Sequence, residues 1–233
     1  MISVAMATYN GEKYIKEQIE SILVNLNEED ELIISDDGST DGTIEIINSF
    51  IDKRIKVFKG PRKGINKNFE NAILNCNGDY IFLSDQDDYW YPNKVRTVLN
   101  AFKDGYILVQ HNARVVDSNG SPLINSFSSY RKVRGGFFNN WLRNTYHGCL
   151  MSFSKDLVKY ILPFPKRGCF HDQWIGMIAN AKGKTTFIDD ILVDYKRYGN
   201  NQSSFKRHPF FIQLRNRIYI GINLMLYFFK IRI

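Results

Sequence analysis

Cysteine is scarce. Cys76, Cys149 and Cys169 are an odd count, widely spaced, with no CxxC pair and no Cys/His ligand spacing. That disfavours a disulfide framework and a zinc site, and a reducing compartment is expected. A secretory leader is not evident either: Met1-Ile2-Ser3-Val4-Ala5-Met6-Ala7 lacks a basic start and its apolar run ends before Asn10-Gly11, so export is not expected. Phosphate-cradling glycine loops of the GxxxxGK or GxGxxG kind do not follow the first apolar run, which disfavours P-loop enzymes and dinucleotide oxidoreductases. Acidic residues stop at Asp194: residues 195–233 hold eight Lys/Arg and no Asp/Glu. Of the 31 basic groups, 23 then remain in residues 1–194 against all 24 acidic ones, so the body carries −1 and the net +7 belongs to the tail. A nucleic-acid partner is therefore not expected.

With 233 residues, 44% hydrophobic and 14% aromatic, the chain is long and apolar enough to bury the core of one domain. Apolar runs at Ile2–Ala7, Glu31–Ser35, Ile55–Phe58 and Tyr80–Leu83 predict strands. Helices are predicted at Glu12–Leu26, Asp41–Phe50, Ile65–Leu74 and from Pro92, a favoured first helical residue. Four strand-then-helix units imply a parallel sheet with right-handed crossovers, hence an α/β fold. After Tyr106 the pattern is less regular, with strands expected at Tyr106–Val116, Cys149–Phe153 and Thr185–Ile188 and helices at Lys155–Ile161 and from about Asp172. No repeat or low-complexity linker interrupts residues 1–204, which are read as one domain: about 1–105 for one ligand and 106–204 for a second. Residues 205–233 are read as an appended basic tail.

In an open parallel sheet, ligands bind beyond the carboxyl ends of the strands. Three polar clusters fall there: Thr8-Tyr9-Asn10, Asp36-Asp37-Gly38-Ser39-Thr40-Asp41-Gly42 and Asp85-Gln86-Asp87-Asp88. Three carboxylates in four residues repel one another unless a cation neutralises them, and hard oxygen donors suit Mg²⁺ or Mn²⁺. The alternative is a solvated acidic loop capping the next helix, and Asp36–Ser39 has a similar alternative as a strand-ending turn. Asp172 opens an apolar helix, where the helix dipole favours a carboxylate, as a base or as a plain N-cap.

These three clusters, in this order, resemble the motifs of the family 2 glycosyltransferases. The resemblance continues through His147-Gly148-Cys149, His171-Asp172-Gln173-Trp174 and Tyr195 to Ser203, and the subgroup is similar to bacterial rhamnosyltransferase-like enzymes of surface polysaccharide assembly. It implies a GT-A fold and an inverting, metal-dependent hexosyl transfer from a nucleoside-diphosphate sugar, with dTDP-rhamnose or a UDP-hexose favoured, to a saccharide or lipid-linked saccharide. It further implies that Thr8, Tyr9 and Asn10 line the nucleotide pocket, that Asp36 meets the base, that Asp85 holds the ribose or a metal-bound water, that Asp87 binds Mn²⁺ or Mg²⁺, and that Asp172 is the catalytic base. Asn68 joins the donor-side candidates, and Gly148, His171 and Trp174 the acceptor-side ones. Two departures stand out: Asn68-Phe69-Glu70 replaces an Ala-Arg-Asn set, and Tyr198 replaces a histidine, with Lys196 and Arg197 as candidate phosphate ligands.

Two rival readings are a nucleotidyltransferase, which ordinarily needs a glycine- and lysine-rich loop after the first strand, and a noncatalytic membrane-associated adaptor. In the tail, Phe211, Leu214, Ile218, Ile222, Met225 and Phe229 recur at helical spacing, and the apolar run is shorter than the about 20 residues a span requires. Arg215 and Arg217 precede that run and Lys230 and Arg232 follow it. This predicts a helix lying on an anionic membrane surface, with the protein cytoplasmic and peripheral on the inner face of the plasma membrane. The alternative is a helix packed on the body or on a partner subunit of a homo-oligomer.

Overall fold

A computed structural model describes residues 1–166, 168, 170–198 and 209–229. Its first half follows the strand-then-helix rhythm: β1 (Ile2–Thr8), α1 (Ile15–Leu23), β2 (Glu31–Asp36), α2 (Thr43–Asn48), β3 (Ile55–Lys59), α3 (Ile65–Leu74), β4 (Tyr80–Ser84), β5 (Tyr89–Trp90) and α4 (Lys94–Phe102). The second half holds β6 (Leu108–Val116), β7 (Pro122–Ile124), α5 (Phe127–Arg131), α6 (Phe137–Leu142), β8 (Met151–Ser154), α7 (Val158–Ile161), α8 (His171–Lys182), β9 (Thr185–Lys196) and α9 (Phe210–Phe228). The strands join in the order β3-β2-β1-β4-β8-β6-β9-β5, with β7 hydrogen-bonded to β6.

β1 is apolar without alternation because it is covered on both faces, as parallel strands between helix layers are. Successive side chains feed two cores. Ile2, Val4 and Met6 join Ile15, Ile19 and Ile22 of α1 and Val95 and Val98 of α4, whereas Ala5 joins Phe69 and Ile73 of α3 and Ile175 and Ile178 of α8. β1 runs parallel to both neighbours, pairing Thr8 with Asp36 and Met6 with Ser84. That register brings the three polar clusters to one edge of the sheet.

Past β4 the sheet becomes mixed. β8 is antiparallel to both β4 and β6, β9 runs parallel to β6, and β5 pairs antiparallel with the end of β9. Several elements differ from the sequence expectation. α1 is shorter than Glu12–Leu26 because the backbone N–H of Glu12 is held by Asp41 in a loop contact. α4 begins at Lys94, two residues after Pro92, since Pro92 sits in the turn between Tyr91 and Lys94. β9 runs eight residues beyond Ile188, past an irregularity opposite β6 at Asn112, and α5, α6 and β5 were not foreseen. The expected boundary near 204 and the motif residues Gly199 to Ser203 lie outside the described residues. Among the described residues, no helix is long and apolar enough to cross a membrane.

Candidate active site

The loops after β1 and β2 lock into each other. The buried Asp36 carboxylate accepts hydrogen bonds from the Gly38 and Ser39 backbone N–H groups (3.0 and 2.8 Å), from the Thr8 hydroxyl (3.0 Å) and from the Ser39 hydroxyl (2.5 Å). Its oxygens are therefore engaged in shaping the turn at Gly38, whose φ of 95° favours glycine. Asn10 accepts from the Thr40 N–H (2.9 Å), and its own N–H donates to the Ser39 hydroxyl (2.8 Å). Asn68, on α3, latches the two strand ends from below: its amide donates to the Thr8 carbonyl (3.0 Å) and its oxygen accepts from Ser35 (2.6 Å). Tyr9 is different, with its ring half exposed and its backbone N–H and carbonyl clamped by the Gln86 amide (2.9 and 3.1 Å).

After β4 the acidic loop turns inward. Asp88 is 1% exposed, and its Oδ2 has no hydrogen-bond partner among the described residues. Donor atoms of Asp85, Asp88 and Cys149 lie within 4.8 Å of one another. Burial first, then the charges of Asp87 and Asp172, push the Asp85 carboxyl up to about 7. Burial likewise raises Asp88 well above the ordinary carboxylate range, with Asp87 and Asp85 adding to it. Asp87 is also raised by burial, against the Tyr198 hydroxyl, which donates a hydrogen bond to it. Tyr198 is stacked on Tyr14, ring centroids 4.3 Å apart.

Beneath this loop Lys94 is buried, its ammonium 3.6 Å from the centre of the Trp90 ring and donating to the Cys149 carbonyl (3.2 Å). A buried, unpartnered carboxylate oxygen beside two further carboxylates fits a divalent cation. Burial and the neighbouring aspartates push the Cys149 thiol well up, so it stays a neutral thiol and the hard carboxylate oxygens remain as donors.

α8 brings the second half of the chain to the same edge. Asp172, in its first turn, accepts the Gln173 N–H at 2.6 Å. Burial pushes its carboxyl up to about 6, against that N–H, the Arg131 guanidinium and the Asn144 amide, and its charge reaches Asp85 across the cleft. His171 fixes where α8 starts: its N–H and Nδ1 meet Asn66 Oδ1 (3.1 and 3.3 Å), and its ring stacks on Phe69 at 4.3 Å. Burial pushes its imidazole down to about 3, so it is neutral.

The profile of glycosyl transferase family 2 matches residues 3–162. The chain is a family 2 glycosyltransferase. It is similar to the dTDP-rhamnosyl transferase RfbG of Shigella flexneri, 31% identical over 219 residues that cover 84% of this chain and 73% of that protein. The fold is GT-A: a crystal structure of S. aureus TarS 1-349 in complex with UDP-GlcNAc matches with a TM-score of 0.70 at 23% identity, covering 89% of this chain and 61% of that one. A mannosyltransferase from Pyrobaculum calidifontis, solved with GDP-Man and Mn²⁺, matches with a TM-score of 0.64 at 18% identity, covering 83% and 56%. The glycosyltransferase thus spans about three fifths of the solved chains it resembles.

Of the residues singled out in the sequence, the glycosyltransferase brings Asp85, Asp87 and Asp172 to one edge and spends the side chains of Thr8, Asn10, Asp36 and Asn68 on internal hydrogen bonds. Trp174 is 4% exposed and donates to the Ile161 carbonyl (2.8 Å), so it is core and presents no aromatic face to an acceptor. Gly148 is buried where the His171 ring passes, and a Cβ there would lie 2.6 Å from Nε2. The Lys196 ammonium pairs with Glu17 while its backbone N–H donates to Asp88 (3.3 Å). Arg197 lies beside the Tyr195 ring. Sequence reasoning singled out the loop that holds Gln86 without giving that residue a role, and missed Lys94, Asn66, Arg131 and Asn144. Each acts on a residue remote in the chain, and linear spacing carries no trace of that.

Proposed function

We propose that this glycosyltransferase moves a sugar from a nucleoside-diphosphate sugar to a hydroxyl of a saccharide or lipid-linked saccharide, with inversion, in bacterial surface polysaccharide synthesis. The observation that carries the reading is the juxtaposition of the Asp85–Asp88 carboxylates with Asp172 across one sheet edge. The likeness to RfbG favours dTDP-rhamnose as donor, ahead of a UDP-hexose.

Tyr9 offers its exposed ring to the base, and Thr8, Asn10, Asp36 and Asn68 act by holding the loops that frame the pocket. Asp87 and Asp85, together with the unpartnered oxygen of Asp88, would hold Mn²⁺ or Mg²⁺, and Lys196 and Arg197 supply positive charge at the same loop. When bound, the metal supplies charge neutralisation for the leaving diphosphate. Asp172 accepts the proton of the acceptor hydroxyl as it attacks the anomeric carbon on the face opposite the leaving group. Its elevated pKa makes it a better proton acceptor than an exposed aspartate while leaving it ionised at neutral pH. His171, with Gly148 against its ring, positions Asp172 through the start of α8. Chemistry of this kind needs no glycine-rich triphosphate loop, which the chain lacks.

The test is calorimetric titration of nucleotide sugars with Mn²⁺. A donor at ~100 times its dissociation constant should add roughly 2.7 kcal/mol of thermal stability. Asp87→Asn should abolish the metal-dependent part of donor affinity, and an unchanged affinity in that variant removes the metal assignment.

A further inference from the structure

α9 does not stand alone. Ile220 and Leu224 are buried in the core shared with α8, Tyr227 meets Trp174 edge-on at 5.7 Å, and the Arg217 guanidinium donates to the Leu142 carbonyl at the end of α6 (2.7 Å). These contacts use one side of the helix. The other side carries Leu214, Ile218, Ile222, Met225 and Phe229, at steps of four, four, three and four residues, and all five are exposed. Such steps form one stripe on a helix. Next to α9, α6 exposes Phe138 (75%) and Leu142 (54%). Scattered exposed apolar side chains are ordinary, but a contiguous set across two packed helices marks a docking surface.

Charge decides what docks there. α6 comes from residues 118–155, which hold five Lys/Arg and no Asp/Glu, and α9 from residues 195–233, which hold eight and none. Lys132, Arg134, Arg143 and Arg215, in the segments that carry α6 and α9, are exposed. Two copies joined through this face would bring basic rims together, whereas an anionic bilayer matches both the apolar centre and the rim.

We propose that the α6–α9 face is a docking surface for an anionic membrane, in which the apolar stripe enters the headgroup boundary and the basic rim meets lipid phosphates. α8 ties this face to the reaction: Trp174, under Tyr227, lies in the same first turn as Asp172. Docking there would hold the protein at the surface that carries a lipid-linked acceptor, a consequence that rests on the glycosyl-transfer reading above; the docking itself does not.

Flotation of the full chain with vesicles tests it. Binding should be strong on vesicles containing phosphatidylglycerol, weak on phosphatidylcholine alone, and weakened by salt. Met225→Glu and Phe138→Glu should each reduce partitioning by roughly tenfold, and Arg134→Gln with Arg143→Gln by about fivefold per cation. All four side chains are exposed, so melting temperature and nucleotide binding should be unchanged, which keeps failure of docking separate from failure of the donor site. Should Phe138→Glu melt early, Leu142→Gln replaces it. Equal binding to neutral and anionic vesicles, indifference to the α6 substitutions, or a defined dimer without vesicle binding overturns the proposal.

Discussion

At the scale of single residues, the acidic loop is held at a cost in the metal-free protein. Asp85 has its carboxyl pushed up to about 7 in the folded chain against the ordinary value of 3.8, so folded protein keeps a proton that unfolded protein releases. Stability from this group is therefore lost as pH rises from about 4 through about 7. The neutral buried imidazoles of His111, His147 and His171 run the other way, gaining stability as pH rises towards about 6.5, so the wild-type curve alone mixes two slopes. The difference between Asp85→Asn and wild type removes the imidazole slope and reports Asp85 together with the relief it gives the neighbouring carboxyls. Without metal, the variant should gain on the order of 2 kcal/mol relative to wild type between pH 5 and pH 8, read by thermal or denaturant unfolding. A difference that is flat or reversed over that range contradicts the burial of Asp85. At this scale the sequence revealed the carboxylates, because three in four residues are conspicuous. It concealed their partners: Cys149 is 61 positions from Asp88, and Lys94 reads as an ordinary surface residue at a helix start.

At the scale of elements, the role proposed for Asp172 depends on where α8 begins, and that is decided by packing. Gly148 lets the His171 ring lie against the backbone, and Asn66 receives the His171 N–H from α3, which joins the two halves of the chain. Gly148→Ala should push His171 and the first turn of α8 aside and lower turnover by about tenfold or more while donor affinity stays near wild type. Steady-state kinetics beside calorimetry checks this, and equal losses in binding and turnover would mean that Gly148 serves the donor side. On α3, Asn68→Ala should cost about 2 kcal/mol by removing two hydrogen bonds, its donation to the Thr8 carbonyl, which keeps the Asp37 N–H at 2.9 Å, and its acceptance from the Ser35 hydroxyl, with Asn71 still bonding Ser35 at 2.8 Å. Unfolding by denaturant reads that loss. β1, β2 and β4 were legible as buried apolar runs between turn residues, and β3 as a short β-branched and aromatic run although it is a half-exposed sheet edge. α5 and α6 were not, since helices of five and six residues show no period, and β5 is a strand only because two residues meet the end of β9.

At the scale of the whole molecule, a parallel first half and a mixed second half share one sheet and meet at Asp85 and Asp172. The order of motifs along the chain was enough to expect this architecture, but not the seating of α9, which packs by one side and exposes the other. Residues 1–194 carry a net charge of −1, and neither the segment 118–155 that carries α6 nor the tail that carries α9 holds an acidic residue. The central claim is that this cleft separates donor binding from proton removal, and Asp172→Asn tests it most directly. With saturating donor, acceptor and Mn²⁺, nucleoside diphosphate release by the variant should be slower than wild type by about 10² or more, with donor affinity near wild type. Release at a rate close to wild type would contradict the account, leaving Asp172 as a helix cap and another group as the base.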